Sequence, residues 1–141
     1  MTLRPVFASA AVTRAILAHA RRDRPLECCG FLLGYGRQIR HAMPMENVAA
    51  SRTRYQIDDA VHIRLRRMLR ALDPPLEIVG VYHSHPQGAP APSPTDIAES
   101  MYPDWIYVIA GLRGRASVRA FRIRGGRARE IPLRIRRGSE I

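Results

Sequence analysis

The chain has 141 residues, 46% of them apolar, a length that holds one compact domain with a real core and excludes a multidomain architecture. No apolar run approaches the roughly 20 residues of a membrane span, and the opening Met1-Thr2-Leu3-Arg4-Pro5-Val6-Phe7 lacks the features of a secretory signal, so the expected location is cytoplasmic. All 23 basic residues are arginine, against 12 carboxylates, for a net charge of +11 that points to an acidic protein, nucleic acid or another polyanion as partner.

Along the chain, Val12, Ala15, Ile16, His19 and Ala20 recur at helical spacing within residues 9–22, with Ser9 as N-cap. Residues 26–33 form an apolar run closed by Gly34-Tyr35-Gly36, and residues 38–44 follow closely enough to pair with it as a hairpin. Beyond a polar loop at 47–56, Asp58 caps a helix lined by Val61, Leu65, Met68, Leu69 and Leu72 and stopped by Pro74-Pro75. Ile78-Val79-Gly80-Val81-Tyr82 reads as a central strand covered on both faces. Residues 105–110, 117–123 and 128–133 complete the pattern, the last two joined through Gly125-Gly126. The fold class is α/β: a single-domain mixed β-sheet flanked by two or three helices, the domain spanning 1–141 with its core at about 8–135.

At the end of the central strand stands His83-Ser84-His85-Pro86. Alternate strand residues share a face, so His83 and His85 project together, with Cα atoms about 6.6 Å apart. Two tilted imidazoles close that span onto one zinc ion at bonds of about 2.0 to 2.1 Å. Asp96 is the candidate third ligand, because the four prolines from Pro86 to Pro94 stiffen the loop that returns the chain over the strand end. Two histidines and a carboxylate leave the fourth position open, the mark of a catalytic zinc site whose water is acidified towards neutrality. Ser93 is placed to donate to the oxyanion formed when that water attacks a carbonyl. Glu27, an unusual carboxylate in an apolar run, is the candidate general base and acid.

These residues resemble the JAMM (MPN-plus, Mov34-type) zinc metalloprotease motif: Glu27 upstream, His83-Ser84-His85-Pro86, seven residues from His85 to Ser93 and two more to Asp96. The resemblance extends to Pro25-Leu26-Glu27-Cys28-Cys29-Gly30-Phe31-Leu32-Leu33-Gly34 and to Glu46-Asn47-Val48, covers roughly residues 8–124, and is to the short prokaryotic branch. It implies a cytidine-deaminase-like architecture, zinc held by His83, His85 and Asp96, an oxyanion role for Ser93, and proton transfer by Glu27 to the leaving amine. It also implies a metallopeptidase that hydrolyses a peptide or isopeptide bond at the C-terminus of a ubiquitin-like protein. The chain's brevity favours a sulfur-carrier protein as substrate, its glycine-rich tail held by main-chain hydrogen bonds.

Plainer readings stand beside these. Ser93-Pro94-Thr95-Asp96 fits a helix capping box in which both side chains only cap. Glu27 fits a buried structural carboxylate paired with an arginine. Cys28 and Cys29 are expected reduced and packed in the core, although Cys29, on the face assigned to Glu27, is near enough to approach the site; a cysteine protease using either would leave Ser93 and Asp96 without a role. His19, His41 and His62 lack ligand spacing and take structural or solvated roles. Ten arginines against one carboxylate from Arg113 to Arg137 read first as a solvated sheet face, and second as a surface that steers an acidic carrier. No nucleic-acid-binding motif accompanies the charge. The alternative function is a non-catalytic MPN-fold binding module with a basic surface for acidic protein or nucleic acid, and homodimer formation is left open.

Overall fold

The computed structural model describes residues 2–137. The chain opens on a short strand, β1 (Val6–Ser9), and turns at once into helix α1 (Ala10–Asp23), where the Ser9 hydroxyl accepts the Val12 N–H as the expected N-cap. The hairpin follows as β2 (Cys29–Tyr35) and β3 (Gln38–Met45), then α2 (Asp59–Arg70), capped by the Asp58 carboxylate, and the central strand β4 (Glu77–His85). Helix α3 (Pro94–Glu99) precedes β5 (Ile106–Gly111), β6 (Ser117–Arg124), β7 (Arg127–Ile131) and β8 (Leu133–Arg136). Gly125 and Gly126 take φ of 57° and 74° in the β6–β7 turn, left-handed conformations that a two-residue hairpin loop requires and glycine adopts without steric cost.

Among the described residues the strands form one mixed sheet in the order β7-β6-β5-β4-β2-β3-β1-β8, with β4–β5, β1–β3 and β1–β8 parallel. β7 and β8 stand at opposite ends of that order yet are separated in sequence by Pro132 alone. The sheet therefore curls until β6 and β1 reach one continuous stretch of chain. Proline has no N–H for a ladder, so it falls where the strand exchanges one partner for the other, and its carbonyl accepts the Val6 N–H at 3.0 Å. Helix α1 fills the concave side: Val12, Ile16 and Ala20 pack with Val6, Leu32, Tyr82, Val108, Ala120 and Ile131 in the main core. The other face, with Phe31, Leu33, Val81, Tyr107, Ile109 and Phe121, is covered by α2 and by the segments around Tyr55, Ile57 and Trp105.

Four local expectations need correction. β1 was not anticipated, since four residues carry too little periodicity to register. The strand expected over 128–133 divides at Pro132. The α2 stripe is narrower than expected: Leu65 and Leu69 are buried, but Met68 is 67% and Leu72 48% exposed, because the helix ends at Arg70 and lies along the flank of the sheet. β2 begins at Cys29, so Glu27 precedes the strand; its N–H and C=O are taken by Ser51 and Asn47 of a neighbouring loop and not by a strand partner. None of the described helices is long and apolar enough to cross a membrane.

His19 takes a structural role. Buried in α1, it meets the Tyr82 hydroxyl through Nδ1 at 2.7 Å and the Asp23 carboxylate through Nε2 at 3.1 Å, and burial pulls its pKa below the ordinary histidine value.

Candidate active site

β4 and β5 run parallel, and at the end of β4 the polypeptide leaves through the proline-rich loop. That loop is seated by contacts at both sides: His85 Nδ1 meets the Ala89 carbonyl at 2.7 Å, and Pro90 packs on Gly111, where a Cβ would stand 2.9 Å from the proline ring. The chain then enters α3, whose capping box is complete. Ser93 Oγ accepts the Asp96 N–H at 3.0 Å, and Asp96 Oδ2 accepts the Ser93 N–H at 2.9 Å. A capping aspartate at the third helical position is thereby aimed back at the strand end.

His83 and His85 share one face, as the alternation required, while Ser84 points away and accepts the Cys28 N–H on its Oγ at 2.9 Å. The three candidate ligands converge. His83 Nε2 and His85 Nε2 are 3.1 Å apart, and Asp96 Oδ2 lies 3.1 Å from the first and 3.0 Å from the second. The ring of Tyr55 is stacked on that of His83 at 4.4 Å.

The donor set fits a cation. A carbonyl only accepts, so His85 must carry its proton on Nδ1 to satisfy Ala89, and the neutral ring then presents a bare lone pair at Nε2. That lone pair faces a carboxylate oxygen and a second imidazole, an arrangement of acceptors that a shared positive charge resolves. Tetrahedral ligands at zinc–nitrogen and zinc–oxygen distances stand about 3.3 Å apart, close to the triangle observed. Burial lowers the pKa of His83 more than Asp96 raises it. Burial acts on His85 in the same sense, but the hydrogen bonds with Asp96 and Ala89 outweigh it and raise the value. Asp96 is pushed up by its burial and pulled further down by both histidines, ending well below the usual carboxylate range.

Glu27 is 3% exposed, its Oε1 is buried without a hydrogen-bond partner, and burial pushes its carboxyl up to about 8, with His85 opposing and Asp96 reinforcing the shift. Those two influences place it electrostatically beside the histidine–aspartate triangle. An arginine partner for Glu27, as the structural reading required, is not present among the described residues. Ser93 is half-buried, and since its oxygen is the acceptor in the capping box, its hydroxyl proton is left to donate. Cys28 and Cys29 lie in the core, their thiols pushed up by burial to about 11 and about 12, which keeps both protonated at neutral pH. Cys29 sits opposite His83 in the sheet and so on the same face, its sulfur 3.9 Å from the Met45 carbonyl and 3.7 Å from that of Glu46.

A cavity of about 300 Å³ adjoins Asp96, walled by Phe31, Tyr55, His62, Tyr102, Trp105 and Tyr107. Tyr102 stacks on Trp105 at 3.8 Å, and His62 lies against Phe31 at 4.8 Å. Sequence reasoning did not find Tyr55 or the Ala89 carbonyl, and it met Asn47 only within the Glu46-Asn47-Val48 resemblance, with no role attached. Each acts through contacts with residues distant in sequence or through its backbone, and the polar loop composition alone carries no mark of them.

The sequence profile of prokaryotic homologs of the JAB domain matches residues 9–124. The CysO-cysteine peptidase of Mycobacterium tuberculosis is 36% identical over 130 residues, covering 88% of this chain and 86% of the relative. The desampylase of Haloferax volcanii is 36% identical over 108 residues, covering 72% and 76%. In fold, the solution structure of a Desulfitobacterium hafniense protein superposes with a TM-score of 0.84 at 23% identity, over 96% of this chain and 95% of that one. With a profile match over most of its length and relatives at this identity and coverage, the chain belongs to the family of prokaryotic JAB-domain proteins.

Proposed function

We propose that this protein is a zinc-dependent peptidase that hydrolyses the peptide or isopeptide bond following the C-terminal tail of a ubiquitin-like or sulfur-carrier protein. The convergence of His83 Nε2, His85 Nε2 and Asp96 Oδ2 within 3.1 Å is the observation that carries the reading. Relatives named as a peptidase and a desampylase support hydrolase activity. His83, His85 and Asp96 would hold the zinc, which would supply Lewis acidity that makes water a usable nucleophile near neutral pH.

The chain's own groups do the rest. Glu27 Oε1, buried and unpartnered, accepts the proton of the attacking water and returns it to the leaving nitrogen. The Ser93 hydroxyl donates to the oxygen of the scissile carbonyl as charge develops there, a contribution typically worth about 100 to 1,000-fold in rate. The cavity beside Asp96 takes the extended tail of the carrier, and the arginine-rich surface draws an acidic carrier in. The protonated thiols of Cys28 and Cys29 take no part as nucleophiles.

The test is metal content by mass spectrometry on the purified chain and on Asp96→Ala, followed by chelator-sensitive cleavage of ubiquitin-like carrier fusions. About one zinc per chain, lost in the variant, is the expected result. A folded wild type that takes up no added zinc would overturn the peptidase and leave the basic binding module.

A further inference from the structure

We propose that Asn47 is the positioning residue for Glu27, an inference that rests on the reading of Glu27 as the proton-transferring group. The buried Oε1 of Glu27 has no hydrogen bond to locate it, so the backbone must set where the carboxyl stands. That backbone lies outside β2 and has no ladder partner. Its N–H donates to the Ser51 carbonyl at 2.9 Å, its C=O accepts from Asn47 Nδ2 at 3.0 Å, and the next N–H, of Cys28, donates to Ser84 Oγ. Two of the three anchors belong to the loop of residues 47–56.

Asn47 is the hub of that loop. Nδ2 donates to the carbonyls of Glu27 and Arg54, and Oδ1 accepts from the N–H groups of Ala49 and Gln56, all between 3.0 and 3.1 Å. Two donors meet two carbonyls and one acceptor oxygen meets two N–H groups, so the full capacity of a primary amide is used and its orientation is determined by the partners. The loop so gathered holds Ala50 at φ 46°, a left-handed conformation that a non-glycine residue keeps only when its surroundings impose it. It also carries Tyr55, stacked on His83. One side chain therefore ties the proton-transferring carboxylate to the segment that covers a candidate metal ligand. Aspartate is the same size but has no donors, and it would set a carboxylate against two carbonyl oxygens.

The test uses the full chain loaded with zinc, and as probe a linear fusion of a ubiquitin-like carrier ending in Gly-Gly to a fluorescent reporter. Asn47→Asp is expected to lower kcat by about 10 to 100-fold, the usual cost of removing an outer-shell partner, with KM and zinc content held. Combined with Glu27→Gln it should be no slower than Glu27→Gln alone, because it acts through Glu27. Amide hydrogen exchange gives a readout without substrate: the Glu27 N–H of the wild type should exchange as slowly as those of β2, and at least about 10-fold faster in Asn47→Asp. Asn47→Ser is read in the same way if the aspartate variant does not fold. Unchanged Glu27 protection in a folded variant, an unprotected Glu27 amide in the wild type, or wild-type kcat would overturn the positioning role. A zinc-loaded wild type that leaves the fusion intact fails the peptidase reading instead, while the exchange comparison still decides Asn47.

Discussion

Tyr55 lies nearly flat on His83, the ring planes 22° apart and the centroids separated by 4.4 Å. His83 is the deeper of the two paired histidines, and its buried Nδ1 has no hydrogen-bond partner. Metal-binding histidines are ordinarily oriented by a bond from the second nitrogen; if His83 is one, the stacked ring would take that place, holding the imidazole by its face. Tyr55→Ala is expected to weaken zinc binding by about 10 to 100-fold, and Tyr55→Phe to leave it unchanged, measured by competition with a chromogenic chelator. Equal affinity in all three proteins would show that the stack orients nothing.

Asp96 serves two structures at once, the triangle of candidate ligands with His83 and His85 and the N-terminus of α3. Asp96→Asn keeps an oxygen to accept the Ser93 N–H but loses the charge. It should retain most of the thermal stability of the chelated protein while losing zinc. Asp96→Ala should lose zinc and in addition about 0.5 to 2 kcal/mol of stability in chelator, the usual cost of a cap. Differential scanning calorimetry in chelator separates the two effects.

The Glu27 carboxyl is pushed up to about 8 against an ordinary 4.5, because burial disfavours its charge. The folded chain thus binds this proton more tightly than the unfolded chain, and the stability that Glu27 contributes is present below about 4.5 and falls as pH rises to about 8. At about 1.4 kcal/mol per unit, the loss amounts to a few kcal/mol across that window. Glu27→Gln is neutral throughout and should be more stable than wild type at pH 8 in chelator, and close to it at pH 5. Urea melts at both values check the crossing.

His19 gives the opposite sign. Burial lowers its pKa, so the unfolded chain binds the proton more readily, and the stability it contributes is present above about 6.5 and is lost as pH falls below that value. Tyr82→Phe removes the hydroxyl at Nδ1 and leaves a buried acceptor unpaired, at about 1 to 3 kcal/mol. A melting temperature unchanged in Tyr82→Phe at pH 7 would contradict this account of the pair.

The hairpin of β2 and β3, the apolar run of β4 and the Ser9 and Asp58 caps were legible because each is local: a turn, a period or a cap within a few residues. So was the convergence of His83 and His85, since strand alternation places both on one face, and the nearness of Asp96 followed from a short, proline-stiffened return. Glu27 was legible as an oddity, a carboxylate in an apolar stretch, but its position outside the strand was not. Its backbone partners, Ser51 and Asn47, come from a polar loop with no periodicity.

The amino-acid sequence by itself determined most of the elements, the candidate ligand set and the excess of arginine, because these depend on spacing, turn chemistry and composition. Tertiary structure alone decided that β7 and β8 close the sheet around α1, that the Cys29 sulfur meets the Met45 carbonyl, that Tyr55 backs His83, and that the Asn47 amide bonds the Glu27 carbonyl. Each of these is a contact between residues far apart along the chain, and its geometry is set by which surfaces the folded core leaves in reach of one another.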